Sequence, residues 1–171
     1  PLNPLVWEST ATLAVQSGDL DKASIAAQQA LDLQPALLQH YTRLAEILAE
    51  RLDKALVAND VQAVHGFASE LMILGNRLSS RIALVQSTAG QWSKEQVGWT
   101  DVLRLHVGKG LFLAGQTAEA EEHLRLAQNA DGATGITASM WLRVLYASQD
   151  RVDDLETLMP TPDAQILDSA L

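Results

Sequence analysis

The sequence contains no cysteine, few aromatic residues and no long apolar run. Without cysteine the chain forms no disulfide and offers no thiolate ligand to a metal ion. Both the cytoplasm and the periplasm tolerate such a chain, so the compartment stays open. No apolar stretch approaches the roughly 20 residues that a membrane-spanning helix needs, so we expect no membrane insertion by these residues.

Basic residues are also scarce. The 12 Lys and Arg residues oppose 21 Asp and Glu residues, which gives a formal net charge of −9. Phosphate binding needs clustered Lys and Arg side chains, so we expect no nucleic-acid partner. Hydrophobic content of 47 % and charged content of 19 % are typical of a folded globular chain, and alanine and leucine dominate it. This bias favours closely packed helices, because alanine lets neighbouring backbones approach each other.

The residues that usually carry enzyme chemistry are scattered. Four histidines lie far apart in the sequence: His40, His65, His106 and His123. Glu119 lies four residues before His123 on a predicted helix and could share a metal ion with it, although a solvated helix face explains this pair more simply. Lys109 stands between two glycines but lacks the surrounding residues of a phosphate-binding loop. We therefore expect no enzyme activity, no metal site and no cofactor.

The strongest positive signal is a repeated spacing. Between two prolines 34 residues apart, a tryptophan, a glycine and two alanines stand at set intervals: Pro1, Trp7, Gly18, Ala23, Ala30 and Pro35. The second half keeps the later part of this spacing, with Gly115 followed at +5 and +12 by Ala120 and Ala127. Such a pattern is typical of helical hairpins, in which the glycine forms the turn and the alanines allow close packing.

This spacing resembles the tetratricopeptide repeat (TPR) family, whose members are helical-hairpin scaffolds that bind other proteins. The resemblance implies an all-α fold of antiparallel hairpins stacked into a right-handed superhelix, because no single hairpin has a core of its own. Thr10 and Ala14 depart from the family pattern, which usually has Leu and Tyr there. The Leu-Asn-Pro-Leu-Val-Trp start is similar to repeats of bacterial cell-envelope proteins, and Pro1 at a repeat end indicates a fragment of something longer.

We predict one TPR-like domain over residues 1–160 and a tail or connector over 161–171. The predicted parts of the domain are the well-matched hairpins 4–33 and 101–130, a degenerate block over 36–100 and a last pair over 135–159. Within the degenerate block we expect a long helix that ends near Asn59, a second helix ended by Gly75, a short helix over 78–88, and a loop over 91–98.

Tryptophan positions separate core from candidate anchors. Trp7 matches a packing position of the family, and Trp141 lies among apolar neighbours, so we assign both to the core. Trp92 and Trp99 flank the predicted loop. Either they fasten this loop to the domain, or one of them is a binding anchor.

The resemblance also points to four candidate partner-binding residues. In the TPR family the inner surface is lined by the first helix of each hairpin, at positions that Lys109 and Phe112 occupy here. Adding the repeat length of 34 leads to Arg143 and Tyr146. If the register holds, two cations and two aromatic rings form a strip that holds a carboxylate and an apolar side chain. Ordinary packing with two surface charges is the alternative.

These observations favour a non-catalytic scaffold that binds a peptide or a partner domain along its concave face. A second hypothesis is a soluble accessory domain of a larger bacterial membrane or cell-envelope protein, such as a polysaccharide ligase, a polymerase or an envelope assembly factor. A third is a purely structural role with a self-association surface. The flanking sequence of the full-length protein would separate the second hypothesis from the first.

Overall fold

The computed structural model describes residues 3–89 and 94–158, without the side chains of 83–96. These residues form eight α-helices and no strand, which confirms the all-α prediction. The helices follow one another as α1 (Pro4–Gln16), α2 (Leu20–Leu33), α3 (Leu38–Val57), α4 (Val61–Ala89), α5 (Lys94–Leu113), α6 (Thr117–Gln128), α7 (Ala133–Ser148) and α8 (Val152–Leu158).

Four of the turns between helices share one backbone geometry. Each contains one residue with a positive φ angle, at Gly18, Asn59, Gly115 and Asp150. In every case the N–H of this residue donates to the carbonyl three residues earlier, and the next N–H donates to a carbonyl five residues earlier, at 2.9–3.3 Å. Glycine adopts this left-handed conformation freely, and Asn and Asp tolerate it better than other residues.

The shared turn divides the described helices into four hairpins: α1–α2, α3–α4, α5–α6 and α7–α8. In the first two hairpins an aspartate follows the positive-φ residue, and Asp19 and Asp60 accept hydrogen bonds from N–H groups of the next helix. The four positive-φ residues lie 41, 56 and 35 positions apart. We align the hairpins on these four residues and call the alignment the turn register.

The hairpins pack on one another in chain order. Helix α3 contacts α2, α4 and α5, and α5 contacts α3, α4, α6 and α7. One core runs through all of them, and six of its fully buried leucines come one each from α2 to α7: Leu31, Leu52, Leu71, Leu103, Leu124 and Leu142. Trp7 and Trp141 pack against this core, as the sequence predicts.

Two glycines lie inside helices, and each allows a close contact with another helix. A Cβ on Gly108 would lie 2.7 Å from Leu124 Cγ, so this glycine allows α5 to approach α6 closely. The predicted helix end at Gly75 is wrong, because α4 continues to Ala89. A Cβ there would lie 2.9 Å from Val107 Cγ1, and the buried Leu74 and Leu78 carry the packed face past the glycine.

The predicted loop over 91–98 is also wrong in its second half. Helix α5 begins at Lys94, and Trp99 lies within the helix, where it packs against the core and its carbonyl accepts a hydrogen bond from Thr42. Trp92 and the tail over 161–171 lie outside the described residues. Over the helices that are described, none combines the length and the apolar character needed to cross a membrane.

Candidate interaction surfaces

Lys109 and Phe112 meet around one ring of the next hairpin. The Phe112 and Trp141 rings pack edge to face with their centroids 6.1 Å apart. The Lys109 ammonium lies 5.3 Å from the Trp141 ring centroid and forms an ion pair with Asp53 of α3. The Lys109 side chain is 12 % exposed, so this cation serves the contact between α3, α5 and α7.

Arg143 joins α7 to the end of the last hairpin. Its Nη2 donates a hydrogen bond of 2.7 Å to the carbonyl of Leu158. Its Nε is buried and has no hydrogen-bond partner. The guanidinium therefore already neutralises an open carbonyl at the end of α8, where helices leave such groups unpaired.

Tyr146 lies at the centre of a polar cluster between α6, α7 and α8. Its side chain is buried, and its hydroxyl donates to Glu121 Oε1 at 3.1 Å and accepts from Arg125 Nε at 3.0 Å. The Arg151 guanidinium lies 4.5 Å from the Tyr146 ring centroid and also pairs with Glu121 and Asp154. Tyr146 thus has no free polar atom to offer a ligand.

The cluster also fixes the ionisation of its members. Hydrogen bonding to Arg151 holds the pKa of Glu121 below its ordinary value, although burial opposes this shift. Burial raises the pKa of Tyr146, so the phenol stays protonated and keeps donating to Glu121. Sequence reasoning missed this cluster, because Glu121 and Arg151 are 30 residues apart and belong to different hairpins.

The four predicted partner-binding residues do not form one exposed strip. The turn register places the last hairpin 35 positions after the third, whereas the prediction used 34. One residue on a helix is a rotation of about 100°, which moves a side chain from one face to another. Tyr146 therefore corresponds to the buried Leu111, and the counterparts of Lys109 and Phe112 are Val144 and Ala147.

The corrected register reveals an apolar face that the prediction missed. Three residues at four-residue intervals on α7 are exposed, Ile136 by 65 %, Met140 by 58 % and Val144 by 49 %. We call these three residues the α7 apolar face. Single exposed apolar residues are ordinary on a protein surface, whereas three in one row on one helix form a continuous apolar ridge.

Most register counterparts of the α7 apolar face on α3 and α5 are covered. On α5 they are Asp101, Leu105 and Lys109, of which Leu105 is only 8 % exposed. On α3 the first two counterparts, Ala45 and Ala49, are buried, and the third, Asp53, is exposed. The positions of Ile136 and Met140 are therefore covered on both α3 and α5.

One concavity lies between the first two hairpins. This groove of about 370 Å³ contains Arg51, whose guanidinium lies 4.3 Å from the Phe67 ring centroid. Arg51 also donates to Ser24 Oγ at 2.9 Å and pairs with Asp21. Its charge and its donors are therefore engaged within the chain, and the groove offers an occupant mainly shape.

Three of the histidines lie in different surroundings. Buried His40 lies 3.1 Å from Glu8, while desolvation holds its pKa below the ordinary value despite this carboxylate. Burial and the charge of Lys109 lower the pKa of His106 to about 4, so this ring is neutral at pH 7. Across the residues that the structure describes, no three histidine or carboxylate side chains are grouped as metal ligands would be.

His123 faces a small cavity between α4, α5 and α6. This cavity of about 110 Å³ is also lined by Arg104 and Glu122, whereas Glu119, the predicted companion of His123, is not among its lining residues. The buried Nδ1 of His123 has no hydrogen-bond partner, and desolvation lowers the pKa of the ring.

Comparison with known proteins adds no relative. No protein-family model matches the sequence, and no curated protein matches it significantly. The resemblance to TPR proteins therefore stays a prediction, carried by the repeated spacing and by the four equivalent turns.

Proposed function

We propose that this chain is a non-catalytic, TPR-like scaffold whose hairpins stack into a right-handed superhelix and bind another protein. The α7 apolar face is its binding surface. The partner is a helical segment that lies along Ile136, Met140 and Val144, with its own apolar residues at intervals of three and four. Such a helix packs its own row of apolar side chains against the α7 apolar face, as amphipathic helices do in apolar grooves.

The single observation that carries this proposal is the exposure of the α7 apolar face. Met140 is 58 % exposed, whereas its register counterparts Leu105 on α5 and Ala49 on α3 are buried. Methionine suits such a surface, because its flexible and polarisable side chain adapts to different partners. Burial of three apolar side chains would supply a few kcal/mol of binding energy at about 25 cal/mol per Å².

The disposition of the charged residues also supports an apolar contact over a charged one. Lys109, Arg125 and Arg151 all have carboxylate partners within the chain. A ligand that sought these cations would have to displace a preformed internal pair, which costs binding energy. The α7 apolar face requires no such displacement.

A selection from a display library of random helical peptides tests the proposal. The bait is the whole chain, and the binders are then titrated against Met140→Glu. We expect enriched peptides with an amphipathic apolar stripe, and at least tenfold weaker binding to the variant, because a carboxylate would be buried without a partner.

Ile25→Glu provides the matched control. Ile25 is also exposed on a helix, by 62 %, but its register counterparts Gly66, Glu122 and Thr157 are all exposed too, so it lies on an ordinary outer surface. Peptides that bind Met140→Glu as tightly as the unchanged chain, or that are lost with Ile25→Glu instead, would contradict the proposal.

A further inference from the structure

We infer that the small cavity between α4, α5 and α6 binds a zwitterion, namely an α-amino acid with a side chain no larger than that of alanine. The inference goes beyond the proposed function, because the described residues that line this cavity all belong to α4, α5 and α6. It follows from one buried nitrogen atom, two opposite charges and an apolar floor, which meet where the second hairpin contacts the third.

The buried nitrogen atom is Nδ1 of His123, which has no hydrogen-bond partner. A buried polar atom without a partner is destabilising, and in native proteins such an atom usually pairs with a protein group or a bound molecule. The neutral imidazole carries its proton on either nitrogen, so Nδ1 is a donor in one tautomer and an acceptor in the other. A ligand that offers both a donor and an acceptor therefore satisfies Nδ1 in either tautomer.

Two opposite charges line the cavity together with His123. Burial lowers the pKa of this histidine, the charge of Glu122 opposes the shift, and the charge of Arg104 adds to it, so both charges lie close enough to act on the ring. In the described part of the chain no ion pair joins Arg104 to Glu122, and Arg104 Nη1 pairs instead with Asp101 at 3.3 Å. The cavity is thus lined by a cation and an anion that are not paired with each other.

This arrangement favours a ligand that carries charges of both signs. The ammonium group of such a ligand donates to Glu122, and its carboxylate accepts from N–H groups that Arg104 does not use for Asp101, since a guanidinium has five of them. A ligand with only a carboxylate would lie near the like charges of Asp101 and Glu122, and a ligand with only an ammonium group would lie near Arg104. A zwitterion offsets each of these repulsions with an attraction.

The apolar floor and the volume of the cavity set the size of the ligand. Leu78, Leu103 and Val107 line the cavity and are at most 3 % exposed, so they surround a small apolar group. The cavity measures about 110 Å³. Because a cavity of about 150 Å³ holds benzene with its six carbon atoms, about four to five non-hydrogen atoms fit here, and the charged ends reach the rim. Glycine and alanine meet this limit, whereas leucine exceeds it.

Methyl NMR on the whole chain with labelled leucine and valine tests the inference by titration with L-alanine. We expect the methyl signals of Leu103 and Val107 to shift and to saturate in the millimolar range, because so small a ligand makes few contacts. The signals of Leu52, a fully buried reference on α3, should stay in place. Acetate and ethylamine, which carry one charge each, and L-leucine, which is too large, should bind at least tenfold more weakly.

Two substitutions in the chain test the two charges separately. Arg104→Gln and Glu122→Gln should each weaken the binding of alanine at least fivefold. Glu122 is exposed, so its substitution should leave the fold intact. Glu119→Gln is the matched control, because it removes a carboxylate from the same helix at an exposed position that does not line the cavity. This control should bind alanine like the unchanged chain.

Three results would overturn the inference. The first is the absence of any shift up to about 100 mM alanine, which is expected if water alone fills the cavity. The second is binding of acetate or ethylamine as tight as that of alanine, because one charge would then suffice. The third is an unchanged affinity for alanine in Glu122→Gln. All three would leave the proposed function standing, since the Met140→Glu titration tests it separately.

Discussion

Helices α5 and α7 are both first helices of their hairpins, and they differ in what lies against the same register positions. On α5 these positions hold Leu105 and Lys109, which are covered by neighbouring hairpins. On α7 they hold Met140 and Val144, which are open. The first of these positions is apolar on both helices, as Leu105 and as Met140, so residue type alone does not separate a covered position from an open one. What packs against each position does.

The same comparison separates local structure from packing. The turns after α5 and α7 have the same two hydrogen bonds, although Gly115 forms one and Asp150 the other. Local chemistry therefore repeats along the chain, while burial depends on the position of a hairpin in the stack. In repeat proteins, stability is accordingly a sum of hairpin terms and contacts between neighbours, and an end lacks one such contact.

The largest expected effect on stability is that of a carboxylate at Leu105 on α5, compared with a carboxylate at its counterpart Met140 on α7. Leu105→Glu should lower the free energy of unfolding by about 3–5 kcal/mol, because it buries a charge without a partner. Met140→Glu should change it by less than about 0.5 kcal/mol. Urea unfolding measures both changes in stability. Equal losses of stability would show that α5 and α7 are equally covered at these positions, and would contradict the difference between the two helices.

The second prediction concerns His106, whose counterpart on α7 is Trp141. The folded chain holds His106 neutral with a pKa of about 4, whereas the unfolded chain takes up its proton near pH 6.5. Stability should therefore fall as the pH drops from 6.5 to 4, and His106 alone should contribute about 3 kcal/mol of this loss. His40 and His123, whose pKa values are also lowered, act in the same direction.

His106→Leu tests this share of the pH dependence. The variant should lose about 3 kcal/mol less than the unchanged chain between pH 6.5 and pH 4, as followed by urea unfolding at each pH. His65→Leu, at an exposed position, is the control. An unchanged slope in His106→Leu would show that the folded chain leaves the His106 ring accessible to water.

The third and smallest effect concerns Gly108, whose counterpart on α7 is Arg143. Gly108→Ala would place a Cβ 2.7 Å from Leu124 Cγ and 3.2 Å from the Ala120 carbonyl oxygen, so we expect a loss of about 1–3 kcal/mol. Gly66→Ala on α4 meets nothing within 4 Å and should instead stabilise by about 0.5–1 kcal/mol. Thermal melts of both variants measure the difference, and a neutral Gly108→Ala would argue against close packing of α5 on α6.

Much of the fold was predictable from the sequence, because helix ends have local causes. Gly18 and Gly115 identify two of the four turns, and Asp19 and Asp60 identify two helix starts by their capping. Asp150 is harder to identify as a turn residue, because Asp153 and Asp154 follow within four positions and each of them also suits a helix start. The end of α4 was not predictable from Gly75, since its role depends on Val107 of another helix.

The candidate site was less predictable than the fold. Lys109 and Phe112 do take part in a contact between hairpins, as a repeat pattern would indicate. Arg143 and Tyr146, their predicted counterparts on α7, were wrong by one residue, because the last hairpin follows the third after 35 positions and not 34. One residue along a helix corresponds to a rotation of about 100°. The exposure of Met140 was beyond sequence reasoning, since it depends on which hairpins lie next to α7.

The most direct test of the account is the rate at which peroxide oxidises Met140, followed by mass spectrometry with and without a bound helical peptide selected on the chain. Met72, which is half-buried and packs against the core on α4, is the internal reference. We predict rapid oxidation of Met140 in the free chain, at least fivefold slower oxidation in the complex, and an unchanged rate for Met72. Oxidation of Met140 at the same rate with and without the peptide, or protection already in the free chain, would contradict the proposal that the α7 apolar face is an open binding surface.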